Sequence, residues 1–335
     1  MLETAPPHAK EHQTDRFHGG LIGRQPTPPQ DVSRLKKSKR DQGFHPGWLV
    51  APATTWLIVF LVVPLIGIVV FSFWTPKSGG MTPDFSVANY VNFFAQEGFL
   101  DTDHRNFLKP SIFVTTLWTT FRFTFTVMII CLIIGYPIAY FLAMQVKNFK
   151  WQLALFLLAM VPFWTSYLIR AVAWLPMLGR RGLFNKMLQS LGIIDKPSSF
   201  FLYSEFGYTM ALTQLYVVLC IGPIFFSLAK IDKAIIEAAK DMGATNFQVF
   251  REIILPLSLP GVAIGMIFLF VMLMGEFATA VVVYGGKTST TGTVILNYYA
   301  IANYPFSAVN AIMLMLAMMI GVVFILRIVD IRKEL

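Results

Sequence analysis

The sequence predicts an all-helical integral membrane protein with six membrane-spanning helices, a basic N-terminal tail and one ordered insert between the fourth and fifth spans. Three observations carry this. Hydrophobic residues make up 56% of the chain and charged residues only 13%, a balance that suits lipid rather than water as the solvent. Apolar stretches long enough to cross a bilayer recur along the chain. The segment "EAAKDMGATNFQVFREIILPLSLPG", Glu237 to Gly261, breaks that pattern with charges over a length no simple helix connection needs.

The elements follow in chain order. Residues 1–46 hold scattered prolines, paired glycines and the run "RLKKSKR", Arg34 to Arg40, with no apolar periodicity; a disordered basic tail is expected. Much of the formal charge of +9 sits there. The run reads as the cytoplasmic flank of a first membrane helix rather than as a nucleic-acid arm, and a cleaved signal peptide is not expected, because the first apolar stretch starts only at Trp48 and outruns a cleavable core. Residues 47–335 then form the membrane domain. Its expected spans are Trp48–Trp74, Ile112–Gln145, Leu153–Leu178, Glu205–Ala229, Leu257–Tyr284 and Pro305–Val329. Cys131 and Cys220 lie inside apolar runs and read as small hydrophobes, not as a disulfide or a metal site.

Orientation comes from the cations near span ends. The tail side carries "RLKKSKR", Lys147, Lys150, Lys230, Lys233, Lys240, Arg251, Arg327, Arg332 and Lys333, which places both termini and the insert in the cytoplasm. One loop dissents: Arg180, Arg181, Lys186 and Lys196 make the connection after the third span basic although it faces outward.

The insert, about residues 230–256, has helical spacing at Ile231, Ile235, Ala238 and Met242, with Asp232, Lys233, Glu237, Lys240 and Asp241 on other faces. Gly243 permits a sharp turn, and Phe247, Phe250 and Ile254 mark a second short helix before Pro256. Its fixed residues are Glu237-Ala238-Ala239, then Gly243, then Ile253, Leu255 and Pro256. That pattern resembles the EAA loop of ATP-binding-cassette importer permeases at every fixed position. "GYPIAYFLA" from Gly135, "PFWTSYLIRAVAW" from Pro162, "GEFATAVVVYGG" from Gly275 and "YPFSAVNAIML" from Tyr304 extend the likeness, which is to the spermidine/putrescine branch, over most of residues 47–332.

The resemblance implies the type I importer (MetI-like) permease fold and alternating access driven by separate subunits. The expected partners are a second permease, related but distinct, two ATPase subunits that bind ATP and Mg, an extracytoplasmic solute-binding protein, and membrane lipid. The first short helix of the loop is then the coupling helix that enters a groove on the ATPase. The expected location is the bacterial inner membrane. No cofactor is expected in this chain: "YGGKTST" around Lys287 lacks the first glycine of a phosphate loop, Val281 standing in its place. Catalytic residues are not expected. One departure, Ala278 and Thr279 where the family often has proline, leaves an opine, phosphonate, carboxylate or iron(III) open as alternative substrates.

Ionisable side chains within spans face polar interiors, which singles out Glu276, Arg170 and Arg122. Glu276 suits attraction of a cationic polyamine or bracing of the bundle; Arg170 suits a structural salt bridge, Glu276 being the candidate partner, or, for an anionic or zwitterionic substrate, contact with the substrate on its path. Trp164, Tyr167, Trp174, Tyr298 and Tyr299 offer ring faces to an amine along the path or anchors at the interface. A proton-driven secondary carrier would need paired intramembrane carboxylates or an inverted repeat, and neither is visible. A membrane-embedded enzyme would need a ligand cluster, whereas His8, His12, His18, His45 and His104 all fall outside the spans.

Overall fold

Apolar runs in lipid have no water for their backbone amides, so each run closes its hydrogen bonds within itself as a helix. The computed structural model describes residues 47–95 and 112–328. The predicted tail, its basic run and the five histidines lie outside the described residues. Gly47–Leu57 forms α1, which belongs to a unit of its own.

In the second unit a π turn over Ile58–Val62 leads into α2 (Val63–Ser72). A small antiparallel hairpin follows, β1 (Thr75–Lys77) and β2 (Gly80–Thr82), with Thr75 opposite Thr82. This departs from the all-helical expectation because Ser78-Gly79 makes a tight turn, Gly79 taking φ 79°. In α3 (Ala88–Ala95) the buried Asn89 donates to the carbonyls of Ser72 (2.9 Å) and Trp74 (2.7 Å). It thereby satisfies acceptors that the end of α2 leaves open.

The second predicted span is α4 (Ile112–Tyr140) and a π turn over Phe141–Gln145. The third is bent: α5 (Phe149–Met160), a 3-10 turn (Val161–Trp164), then α6 (Tyr167–Leu178) and α7 (Leu183–Ser190), with 86° between the two halves. The predicted third span, Leu153–Leu178, is thus present as a bent pair rather than one continuous helix. Pro162 cannot donate to the preceding turn, and the extended Thr165 and Ser166 separate the halves. The fourth span is α8 (Glu205–Ala229), with the predicted boundaries.

The insert holds α9 (Lys233–Asp241) and α10 (Asn246–Val249). The second insert helix does not stop before Pro256. Through a π turn over Phe250–Ile254 it runs on into α11 (Leu255–Met274), where Pro256 occupies the first turn that needs no donor. The fifth span also ends earlier than predicted, at Met274 rather than Tyr284. Gly275 closes α11, α12 (Ala278–Val282) restarts after the break, and a turn at Gly285-Gly286 follows. Then come α13 (Thr291–Ala300) and α14 (Tyr304–Ile328). Among the described residues five helices are long and apolar enough to span a bilayer, six with the bent pair.

The main core joins α4, α8 and α11 through Val127, Cys131, Leu212, Ile221, Leu269 and Phe270. Both cysteines are free and buried there, as read from the sequence. Close approach of α8 and α11 requires Gly261: a Cβ there would lie 2.5 Å from Ser227 Cβ and 2.6 Å from the Pro223 carbonyl oxygen. With Gly265 one turn on, this is the small-xxx-small spacing that lets membrane helices meet.

Candidate functional site

Two places collect the residues singled out in the sequence. At the first, Glu276 sits in the break between α11 and α12 with only 5% of its surface exposed. Its Oε1 accepts the Tyr167 hydroxyl and the Thr279 backbone N–H (2.7 Å), and its Oε2 accepts the Tyr216 hydroxyl at 2.5 Å. Tyr167 and Thr279 also share a hydroxyl hydrogen bond of 2.6 Å. The chain break thus explains the side chain: α12 starts with an unpaired N–H at Thr279, and the carboxylate fills it. Tyr167 follows the bend of the third span and Tyr216 is the twelfth residue of the 25 in α8. The carboxylate therefore lies level with the middle of α8.

The cluster opens on a cavity of about 820 Å³ lined by Phe163, Tyr167, Arg170, Tyr216, Met272 and Glu276 among others. The expected salt bridge between Arg170 and Glu276 is absent. Arg170 donates instead from Nη1 to the Leu215 carbonyl (3.2 Å), and its buried Nε has no partner among the described residues. Phenols and an amide satisfy the carboxylate, so it has no cationic partner; the one ion pair among the described residues is Arg122 with Glu205. Arg122 is consequently not deep in the bundle but level with the first residue of α8.

A second cavity, of about 800 Å³, lies among α5, α8, α11 and the start of α9, with Met160, Phe226, Lys230, Ile235 and Ile264 in its wall. Leu257, Gly261 and Ile264 line it, and Phe268, Met272 and Gly275 line the first. Steps of three and four put all six on one face of α11.

The remaining aromatic candidates separate. Trp174 is buried with Leu178, Ala211 and Val283, and it lines a smaller cavity beside Arg170. Tyr298 packs edge-on against Phe306, ring centroids 4.6 Å apart, in another apolar cluster. Tyr299 is exposed and lines a different cavity, and Trp164 is exposed outside the lining of the first. Sequence reading missed Tyr216 and Thr279. A tyrosine midway along an apolar span needs a partner for its hydroxyl, which was the available signal for Tyr216.

At the second place, the insert, Asp232 caps α9 by accepting the Ala234 N–H (2.9 Å). The helix closes with Gly243 at φ 89°, its N–H on the Lys240 carbonyl (2.9 Å) and the Ala244 N–H on the Ala239 carbonyl (3.0 Å). This is a Schellman ending, in which glycine avoids the left-handed penalty on a Cβ. Thr245 and Gln248 form a reciprocal cap on α10. Ile231, Ile236, Ala239, Ile253 and Ile254 pack into the main core. By contrast Ile235, Ala238 and Met242 form an exposed stripe, Met242 at 83%, beside exposed Glu237. The sequence stripe was thus correct in spacing, while the face seated on the core is the neighbouring one. Leu255 and Pro256 are half-buried at the start of α11.

Residues 135–334 match the family described as binding-protein-dependent transport system inner membrane component, more than half of the chain. The chain belongs to this family. The permease is a multi-pass inner-membrane protein of an ATP-binding-cassette importer. It is 31% identical to the spermidine/putrescine transport system permease protein PotB of Haemophilus influenzae, over 78% of this chain and 86% of that one. Against PotB of Escherichia coli K12 the identity is 30% over 81% and 92% of the two chains. A bacterial alginate ABC transporter, solved with its alginate-loaded periplasmic protein, contains a chain of the same fold: TM-score 0.61 at 18% identity, covering 86% of this permease and 94% of that chain.

Proposed function

We propose that this permease carries polyamines such as spermidine or putrescine inward by alternating access. The observation that carries the reading is Glu276, a carboxylate without a cationic partner in the wall of a cavity large enough for a small solute. A buried anion attracts an ammonium group because low polarity around it strengthens the Coulomb term. Likeness over most of the chain to permeases named for spermidine and putrescine supports the same substrate class.

The face of α11 from Gly275 to Leu257 is the route from that site toward α9. Two ATPase subunits, holding ATP and Mg, close on nucleotide and move α9 through its exposed stripe and Glu237; α9 and both termini lie in the cytoplasm. A second, related permease covers the other side of the route, and an extracytoplasmic binding protein delivers the solute. Transport gains direction because the outward and inward states differ in affinity for the solute.

The test is uptake by the reconstituted importer with its cognate binding protein. Saturable, ATP-dependent uptake of labelled putrescine or spermidine is expected. Uptake of an anionic solute alone, abolished by Arg170→Gln, overturns the polyamine reading and assigns the cavity to anions.

A further inference from the structure

The loop that defies the positive-inside pattern is a folded device. Between α6 and α8, α7 is held by Asn185, which is fully buried: its Nδ2 donates to the Gly179 (3.0 Å) and Ser198 (3.1 Å) carbonyls and its Oδ1 accepts the Ser198 N–H at 2.8 Å. Phe184 anchors the same helix in the cluster around Trp174 and Leu178. On the neighbouring face of α7 a stripe at steps of four stays uncovered: Leu183 (63% exposed), Met187 (47%) and Leu191 (64%), continued by Ile193 (64%). Beside it stand four exposed cations, Arg180, Arg181, Lys186 and Lys196, against one acid, Asp195. None of the four is ion-paired among the described residues.

We infer that residues 179–204 form a seat for anionic phospholipid at the membrane surface opposite α9, with the Leu183/Met187/Leu191/Ile193 stripe in the acyl boundary and Arg180, Arg181, Lys186 and Lys196 on headgroup phosphates. The location follows from topology: α8, about 37 Å long at 1.5 Å per residue, runs from the end of this segment to the approach to α9. An apolar stripe flanked by cations on a helix lying at membrane depth is the signature of interfacial binding. Charge decides the lipid class, because each cation near the surface favours an anionic headgroup. The same arrangement accounts for the dissenting cations: they are held at the outer interface by a folded cap.

The test uses the assembled importer in vesicles of phosphatidylcholine with and without phosphatidylglycerol. An environment-sensitive dye is placed on Met187→Cys, on the stripe, or on Gln189→Cys, on the other side of α7; Cys131 and Cys220 are buried and do not compete for it. The dye at 187 is expected to be quenched by brominated lipid and shielded from aqueous iodide, and the dye at 189 to show the reverse, with or without binding protein. Replacing all four cations by Gln is expected to lower the enrichment of spin-labelled phosphatidylglycerol around the importer by about fivefold, the effect of one such cation near the surface. Iodide access at 187 that disappears only when binding protein is added makes the stripe a protein-docking face and overturns the inference. Unchanged phosphatidylglycerol enrichment overturns it as well.

Discussion

Glu276 accepts three hydrogen bonds from three elements, so its charge and its bracing are separable by substitution. Glu276→Gln keeps the volume and one acceptor oxygen but turns the other into a donor facing the Tyr216 hydroxyl. The importer is expected to assemble, with basal ATPase retained and diamine uptake at least about tenfold weaker, since hydrogen bonds to a charged group are worth roughly 1.5–3 kcal/mol. Glu276→Leu leaves the half-buried Tyr216 hydroxyl and the buried Thr279 N–H without an acceptor, Tyr167 keeping only the Thr279 hydroxyl, and loss of folded protein is the expected result. Equal uptake by wild type and Glu276→Gln would reduce Glu276 to a brace. Tyr216→Phe separates the roles further: the carboxylate loses one donor and its charge is more available, so a moderate change in KM with normal assembly is expected in the same assay. Part of this cluster was legible in sequence: Glu276 and Tyr167 were singled out, whereas Tyr216, a tyrosine inside an apolar run like Tyr167, was passed over. Trp174 and Tyr298 pack into apolar clusters, a placement sequence does not give, because an aromatic ring is equally at home in a core and along a path, and only contacts distinguish the two. Thr279 was hidden because its part depends on a backbone break.

At the scale of the element, α9 illustrates how spacing and facing differ. A period of 3.6 defines an apolar stripe but not which adjacent face rests on the bundle; here Ile236 and Ala239 are seated, and Ile235, Ala238 and Met242 are left free. Two perturbations are therefore expected to differ. Glu237→Lys changes the free side and is expected to lower ATPase stimulation by loaded binding protein while leaving insertion and assembly intact. Gly243→Ala forces a Cβ into the left-handed region at a cost of about 1–2 kcal/mol, with no steric neighbour within 4 Å to add to it, and a partial loss of coupling follows. Substrate-stimulated ATPase at wild-type levels in both variants would detach α9 from coupling. The broken spans were the least legible elements. Hydropathy averages across Pro162 and Gly275 without registering them, since a bent pair and a straight span share one composition; the proline and glycine were the only local signs of a change in direction.

Across the whole molecule, the bends at Thr165-Ser166 and at Gly275 meet at one carboxylate, while α4, α8 and α11 form the continuous core beside them. Such a division suits the proposed alternating access, under which a firm body would carry load from α9 while the broken segments change direction. It makes the close approach of α8 and α11 a structural requirement, and the two glycines of α11 test that requirement unequally. A Cβ on Gly265 would rest 3.4 Å from Cys220 Cα, an ordinary contact, whereas one on Gly261 would meet Ser227 Cβ at 2.5 Å and the Pro223 carbonyl oxygen at 2.6 Å, and backbone cannot retreat cheaply. Gly265→Ala is expected to unfold close to the wild-type point in a detergent titration. Gly261→Ala is expected to lose about 1–3 kcal/mol, the usual cost of overpacking, and Gly261→Leu to fail to accumulate in the membrane. Equal stability of the two alanine variants would mean that α8 and α11 slide freely past each other, and the firm body would have to be sought between α4 and α8 instead.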